Sequence, residues 1–253
     1  MVSIKLKNSN LSFEEIECVI LDKDGTITDS HYYWSEIIIR RSRMIIETLN
    51  LDQKCFELIA SSMGLNTFSN KLSNEGPIAL KSREEVIRIV CEKLNKKNIK
   101  INNNQLSKIF LKVHEEFTID AERFIKPIVE ACKFIKICRR KNLKLVLISS
   151  DTELNTKRMV EILDLEGYFD LIIGGDSGFD NKSKGFSSKY ACKELGISAK
   201  NTISIGDAFA DFEMAENANL KGCVLVATGQ IPIERLLEIN HFCIKTLDEV
   251  LIN

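Results

Sequence analysis

The chain has 253 residues, 44% hydrophobic and 28% charged, with three prolines and a formal net charge of -1. That length suits one large core or a core with an inserted lobe, and the mixed composition excludes a disordered or fibrous protein. A balanced charge supplies no field to gather a polyanion, and no apolar run is long enough to span a bilayer or act as a secretory signal. A cytoplasmic protein with no nucleic-acid or membrane partner is therefore expected, and its eight scattered cysteines, without a Cys-x-x-Cys pair, read as reduced hydrophobes.

Met1–Asn10 reads as polar, and the first short apolar run, Cys18–Leu21, predicts a buried strand ahead of Asp22-Lys23-Asp24-Gly25-Thr26. From about Ser30 to Ile125 strand signals vanish. Apolar stripes at helical spacing follow: Ile37, Ile38, Met44, Ile45 and Leu49, then Val86, Ile89, Val90 and Leu94, then Leu106, Ile109, Phe110, Val113 and Phe117. They predict an all-helical insert, broken in the Met63–Pro77 loop. Arg40, Arg41 and Arg43 read as a solvated helix face, and Pro127 is placed to open a helix at its first turn.

Further strands are predicted at Leu145–Ile148, Leu171–Ile173, Thr202–Ile205 and Cys223–Val226. They alternate with helical patterns over Ile128–Arg140, Glu153–Leu165, Ser187–Leu195, Phe209–Asn217 and Ile233–Ile239. This alternation implies an α/β fold with a doubly wound parallel sheet, residues 1–29 and 126–253 forming the core and residues 30–125 the helical insert.

In such a sheet ligands bind beyond the carboxyl ends of the strands. The loops there carry Asp22 and Asp24, Ser149 with Ser150 and Asp151, Lys182 and Lys184, and Asp207 with Asp211. At an extended strand end Asp22 and Asp24 would face one side and Lys23 the other. Their repulsion, increased by Asp207 and Asp211, favours recruitment of a hard divalent cation, and Mg2+ suits an all-oxygen ligand set. Ser149 and a lysine of the third loop supply donors suited to a phosphoryl group, Gly25 permits a tight reversal, and Asp151 or Thr152 can cap the next helix.

Together these segments resemble the signatures of the haloacid dehalogenase-like phosphatases. VILDKDGTITDS is similar to the first signature, LVLISSD to the second, KSKGFSSKYACKELGI to the lysine signature and TISIGDAFADFEMAENA to the acidic one. The insert resembles the cap of the phosphoglycolate phosphatase-like branch. The resemblance implies that Asp22 is the nucleophile of an aspartyl-phosphate mechanism and Asp24 its general acid and base. It implies Mg2+ held by the Asp22 carboxylate, the Asp24 carbonyl, Asp207 and, directly or one shell out, Asp211.

The resemblance also implies Ser149 and a lysine at the phosphoryl group. Lys182 lies at the family's usual separation from Gly174-Gly175-Asp176 and Leu195-Gly196, and Lys184, followed by Gly185, is the alternative. Gly25, Thr26 and Ser150 are implied at the substrate, Ser150 standing where many relatives carry asparagine. The implied activity is hydrolysis of a small phosphate ester, such as phosphoglycolate or a sugar phosphate, under a closing cap. His31, Tyr32, Tyr33, Trp34 and the Met63–Pro77 loop are candidates either to touch the leaving group or to pack. A phosphomutase using the same intermediate and a non-catalytic binding protein on this fold are the alternatives.

Overall fold

Ile4 and Leu6 alternate with Ser3 and Lys5, and that period of two forms a strand, β1 (Val2–Leu6), where composition suggests only a polar segment. It pairs antiparallel with β2 (Ser12–Ile16) and with the C-terminal Val250–Ile252, burying Ile4, Phe13 and Ile16. The structure, a computed structural model, describes residues 1–7, 9–78 and 80–253. Two units arise from the chain: Met1–Asp29 with Pro127–Asn253, and Ser30–Lys126. All of β3 (Cys18–Leu21) is buried in the first unit.

The Ser30–Lys126 unit is built from α1 (Ser30–Leu49), α2 (Phe56–Met63), α3 (Arg83–Asn95), α4 (Asn103–Ile119) and the single turn α5 (Ala121–Phe124). Ser82 caps α3 by accepting from Glu85 N at 3.3 Å, and Asn102 and Gln105 form a reciprocal capping box on α4. The stripes named above fill one core, with Ile38, Ile45, Val90, Leu94, Leu106 and Phe110 sealed. Ile87 is buried on α3, whereas Ile89 is only partly so.

This helical insert also holds a β ladder that the periodicity does not announce. A two-residue ladder, β4 (Leu65–Asn66) with β5 (Lys71–Leu72), lies inside the Met63–Pro77 segment, too short for any hydrophobic period to mark it. His31 Nδ1 accepts from Leu72 N at 3.2 Å, and Tyr33 and Trp34 meet edge to face and pack against the helical core. The arginine cluster is not uniformly solvated: Arg43 is exposed, Arg40 binds Glu116 through two hydrogen bonds of 2.7 and 3.1 Å, and Arg41 is buried.

In the first unit the chain continues through α6 (Val129–Arg140), β6 (Lys144–Ile148), α7 (Glu153–Ile162), β7 (Leu171–Ile173) and α8 (Phe186–Glu194). It ends with β8 (Thr202–Gly206), α9 (Phe209–Ala218), β9 (Gly222–Val226), α10 (Ile233–Leu237), β10 (Cys243–Ile244) and β11 (Val250–Ile252). Pro127 does not open α6: it bridges Thr28, and the helix begins two residues later.

The main sheet runs β10-β9-β8-β3-β6-β7, every pair parallel. The chain leaves β3 for β6 on one side and returns to β8 on the other, so β3 is the switch point where the connections diverge and a crevice opens at the strand ends. Cys18, Ile20, Val146, Ile148 and Leu225 pack one face of the sheet together with Met214 and Ala215 of α9. No described helix is long and apolar enough to cross a membrane, and all eight cysteines are free thiols.

Leu147, in the middle of the sheet, is fully buried. Its replacement by Ala is expected to lower unfolding stability in urea by about 2–5 kcal/mol, through lost burial and a residual cavity. A change of under about 1 kcal/mol would contradict the packing described.

Candidate active site

The switch-point strand aims its C-terminal end at three other loops. Leu21 is level with Leu147 of β6 and with Ile205 of β8, and Asp22 N donates to Ile205 O at 3.0 Å. That register brings Asp22 abreast of Gly206, so Asp207 follows directly beside it. Asp211, in the first turn of α9, folds its side chain back to accept from Ala208 N at 3.1 Å. Carboxylate oxygens of Asp22, Asp207 and Asp211 all lie within 4.8 Å of one another.

Glycines make this crowding sterically possible. A Cβ on Gly206 would collide with the Asp211 carboxylate, and a Cβ on either Gly25 or Gly229 would collide with that of Asp207. Gly25 also has φ +84°, a conformation that other residues enter only with strain. Its place in the site is thus to make room for an acid and turn the chain.

One buried ammonium offsets the acids. Asn181 caps the 3-10 turn Lys182–Lys184, Gly185 closes it at φ +73°, and Asn217 of α9 holds Ser183 O at 2.9 Å. Docked in this way, Lys182 Nζ hydrogen-bonds Asp22 Oδ1 and lies 2.7 Å from Asp211 Oδ1. Lys184, two residues on, is exposed. The geometry separates the two lysines: Lys182 reaches the acids.

Burial pushes the Asp22 carboxyl up to about 7; Lys182 opposes this, while Asp211 and Asp24 add to it. Burial, then Asp22 and Asp211, raise Asp207 well above the ordinary carboxylate range. For Lys182 burial works against the charge, but Asp211 and Asp22 outweigh it and hold the ammonium above its ordinary value. Three close carboxylates with one cation to share form an incomplete charge set. The all-oxygen donors, gathered on glycine-lined backbone, fit a hard divalent cation.

Asp24 is beside this group, not inside it. Its Oδ1 accepts from Thr28 Oγ1 at 3.0 Å, and its Oδ2 lies 3.0 Å from Lys23 Nζ. Lys23 does not turn away from the acids as strand alternation predicts: it is 8% exposed and joins Asp24 to Asp151 Oδ2 at 2.7 Å. The chain bends sharply after Leu21, with Ile27 and Thr28 N both donating to Lys23 O, so the alternation no longer applies. Burial works against the Lys23 charge, yet Asp24 and Asp151 overcome it and raise its pKa.

Ser149 is buried at the end of β6, its Oγ accepting from Asp151 N at 3.1 Å. Thr152, not Asp151, caps α7, through Asn155 N at 3.2 Å. Ser150 is exposed, and its carbonyl would obstruct a Cβ on Gly175. Thr26 is fully buried, its hydroxyl without a hydrogen-bond partner among the described residues, so the structure does not present that side chain to solvent. Sequence reasoning turned Lys23 away from the acids, gave Asp151 only a possible capping role in the second loop, and missed Gly229. A basic residue between two acids just past the apolar Cys18–Leu21 run was the available signal for Lys23; nothing local marked Gly229.

A profile for haloacid dehalogenase-like hydrolases matches residues 16–219. The phosphoglycolate phosphatase of Neisseria gonorrhoeae is 23% identical over 218 residues, covering 86% of this chain and 81% of that protein. That of Aquifex aeolicus is 32% identical over 98 residues, 39% of this chain and 46% of its own length, so this second match spans less than half of the relative. A candidate beta-phosphoglucomutase from Thermotoga maritima superposes with a TM-score of 0.66 over 92% of this chain and 96% of that one at 20% identity, a likeness of fold.

The raised carboxyl of Asp22 contributes stability that is fully present below its ordinary value of 3.8 and is lost as pH rises through about 7. Asp207 follows the same sign. In metal-free protein at pH 8, Asp207→Asn is therefore expected to raise unfolding stability by about 1–2 kcal/mol. A lower stability in EDTA would show that the carboxylate is favourably paired instead.

Proposed function

The chain belongs to the haloacid dehalogenase-like hydrolase family, and on that premise we propose that it is a Mg2+-dependent phosphatase of a small phosphate monoester, working through an aspartyl-phosphate on Asp22. Phosphoglycolate is the first substrate to test, since relatives bearing the name phosphoglycolate phosphatase match up to 86% of the chain. The observation that carries this reading is the meeting of Asp22, Asp207 and Asp211 with Lys182 at the end of the switch-point strand.

Asp22 attacks phosphorus as a carboxylate, and Lys182 favours that form by donating to Oδ1. Asp24, fixed by Thr28 and Lys23, protonates the departing alcohol and then takes the proton of the water that hydrolyses the acyl phosphate. Ser149 accepts from Asp151 N and has its own O–H to give to a phosphoryl oxygen. The Asp22, Asp207 and Asp211 carboxylates, with the Asp24 carbonyl, would hold Mg2+. Its charge, when bound, offsets that of the phosphoryl oxygens. Gly25, Thr26 and Ser150 remain assigned to the substrate side of the first two loops, with backbone the only part of Thr26 suited to that role.

Phosphate release in Mg2+ is expected with at least one of phosphoglycolate, sugar phosphates and polyol phosphates, to stop in EDTA, and to fall roughly 10^4-fold in Asp22→Asn. Equal release by both proteins would refute Asp22 as nucleophile. Lys182→Met should lose activity severely while Lys184→Met keeps most of it; the reverse order would transfer the role to Lys184.

A further inference from the structure

The middle of α1 buries a positive charge. Arg41 is 4% exposed, between turns that seal the aliphatic Ile38 and Ile45. Its guanidinium carbon lies 3.8 Å from the centroid of the Phe110 ring. The π-face attracts the charge, but offers no lone pair to the N–H donors that radiate in the guanidinium plane.

Among the described residues no hydrogen bond or ion pair reaches Arg41, and its Nε is buried without a partner. Burial and Arg83, at the start of α3, pull the guanidinium down to about 9, and Tyr33 opposes them only in part. It still carries its proton at neutral pH. The preceding residue shows what the helix provides for an arginine that is merely structural, for half-exposed Arg40 binds Glu116 with two hydrogen bonds.

Burying a charge without a partner is strongly unfavourable, and Leu or Met would pack on Phe110 without that cost. A planar oxyanion would satisfy the guanidinium with parallel charge-assisted bonds and relieve its repulsion with Arg83. We propose that Arg41, with Arg83 beside it, is the binding residue of an oxyanion site in the Ser30–Lys126 unit, taking a carboxylate or phosphate group. The inference does not rest on the hydrolytic chemistry assigned to Asp22. Its ligand group arrives either as a free anion or as part of an organic phosphate.

The full chain with 15N-labelled arginine, kept in EDTA at constant ionic strength with chloride, is titrated with glycolate, inorganic phosphate and phosphoglycolate. The Arg41 Nε–H resonance, assigned by its loss in Arg41→Lys, is followed. A saturable shift with at least one of these is expected, with the Arg43 resonance unmoved. Response to glycolate or phosphate identifies a free-anion site, and response to phosphoglycolate alone identifies a group carried on a larger molecule; both support the proposal. An Arg41 resonance that none of them moves overturns it.

Thermal unfolding gives a second measure. The active anion, at tenfold over its Kd, should raise the Tm of wild type and of Arg43→Met by about 3 °C, and of Arg41→Met by clearly less. Equal rises in all three proteins count against the site. Should Arg41→Met fail to fold, the resonance titration of wild type decides alone.

Discussion

Everything in the α/β unit is arranged around an electrostatic conflict, the crowding of three carboxylates within 4.8 Å of one another at the end of a buried strand. In that setting Asp22 and Asp207 resist ionisation, and the burial that raises them also strengthens the interaction of each with Lys182. The protein resolves the conflict only in part. Lys182 shares one ammonium between Asp22 and Asp211, leaving Asp207 without a cation of its own among the described residues. A site in that state has a standing affinity for positive charge, and it is at its most stable when that charge arrives.

Backbone geometry is what forces the acids together. Parallel pairing of β3 with β8 fixes Asp22 against Ile205, and a parallel ladder allows no slip without moving Leu21 and Ile20 out of register with the core. Glycine is then the only residue that fits where the carboxylates lie on the neighbouring chain, at Gly206, Gly25 and Gly229. The Lys23 ion pairs add a second layer. By tying Asp24 to Asp151 across the first and second loops, they couple the proposed proton-transfer group to the loop that carries Ser149.

The helical unit follows a different logic. Its stripes need only a shared apolar interior, which is why Leu106, Ile45, Val90 and Leu94 pack without polar help. Arg41 departs from that pattern, and its contrast with Arg40 shows that the departure is local rather than a property of the helix.

The alternation of buried runs and helical stripes was sufficient to read five of the six strands of the main sheet, because strands sealed on both faces are written as continuous apolar runs. The candidate acids were legible for the same reason: polar residues at the ends of such runs stand out. The short elements were not, since the ladder Leu65–Asn66 with Lys71–Leu72 and the strand Cys243–Ile244 hold too few residues to show a period. Nor does spacing distinguish Lys182 from Lys184 by contact, or reveal that Lys23 faces Asp151 and that Arg41 is buried. Those outcomes depend on which side of a turn or helix meets another part of the chain, a matter of three-dimensional packing between residues as distant as Asp22 and Lys182, whereas the strand runs carry their burial in consecutive residues.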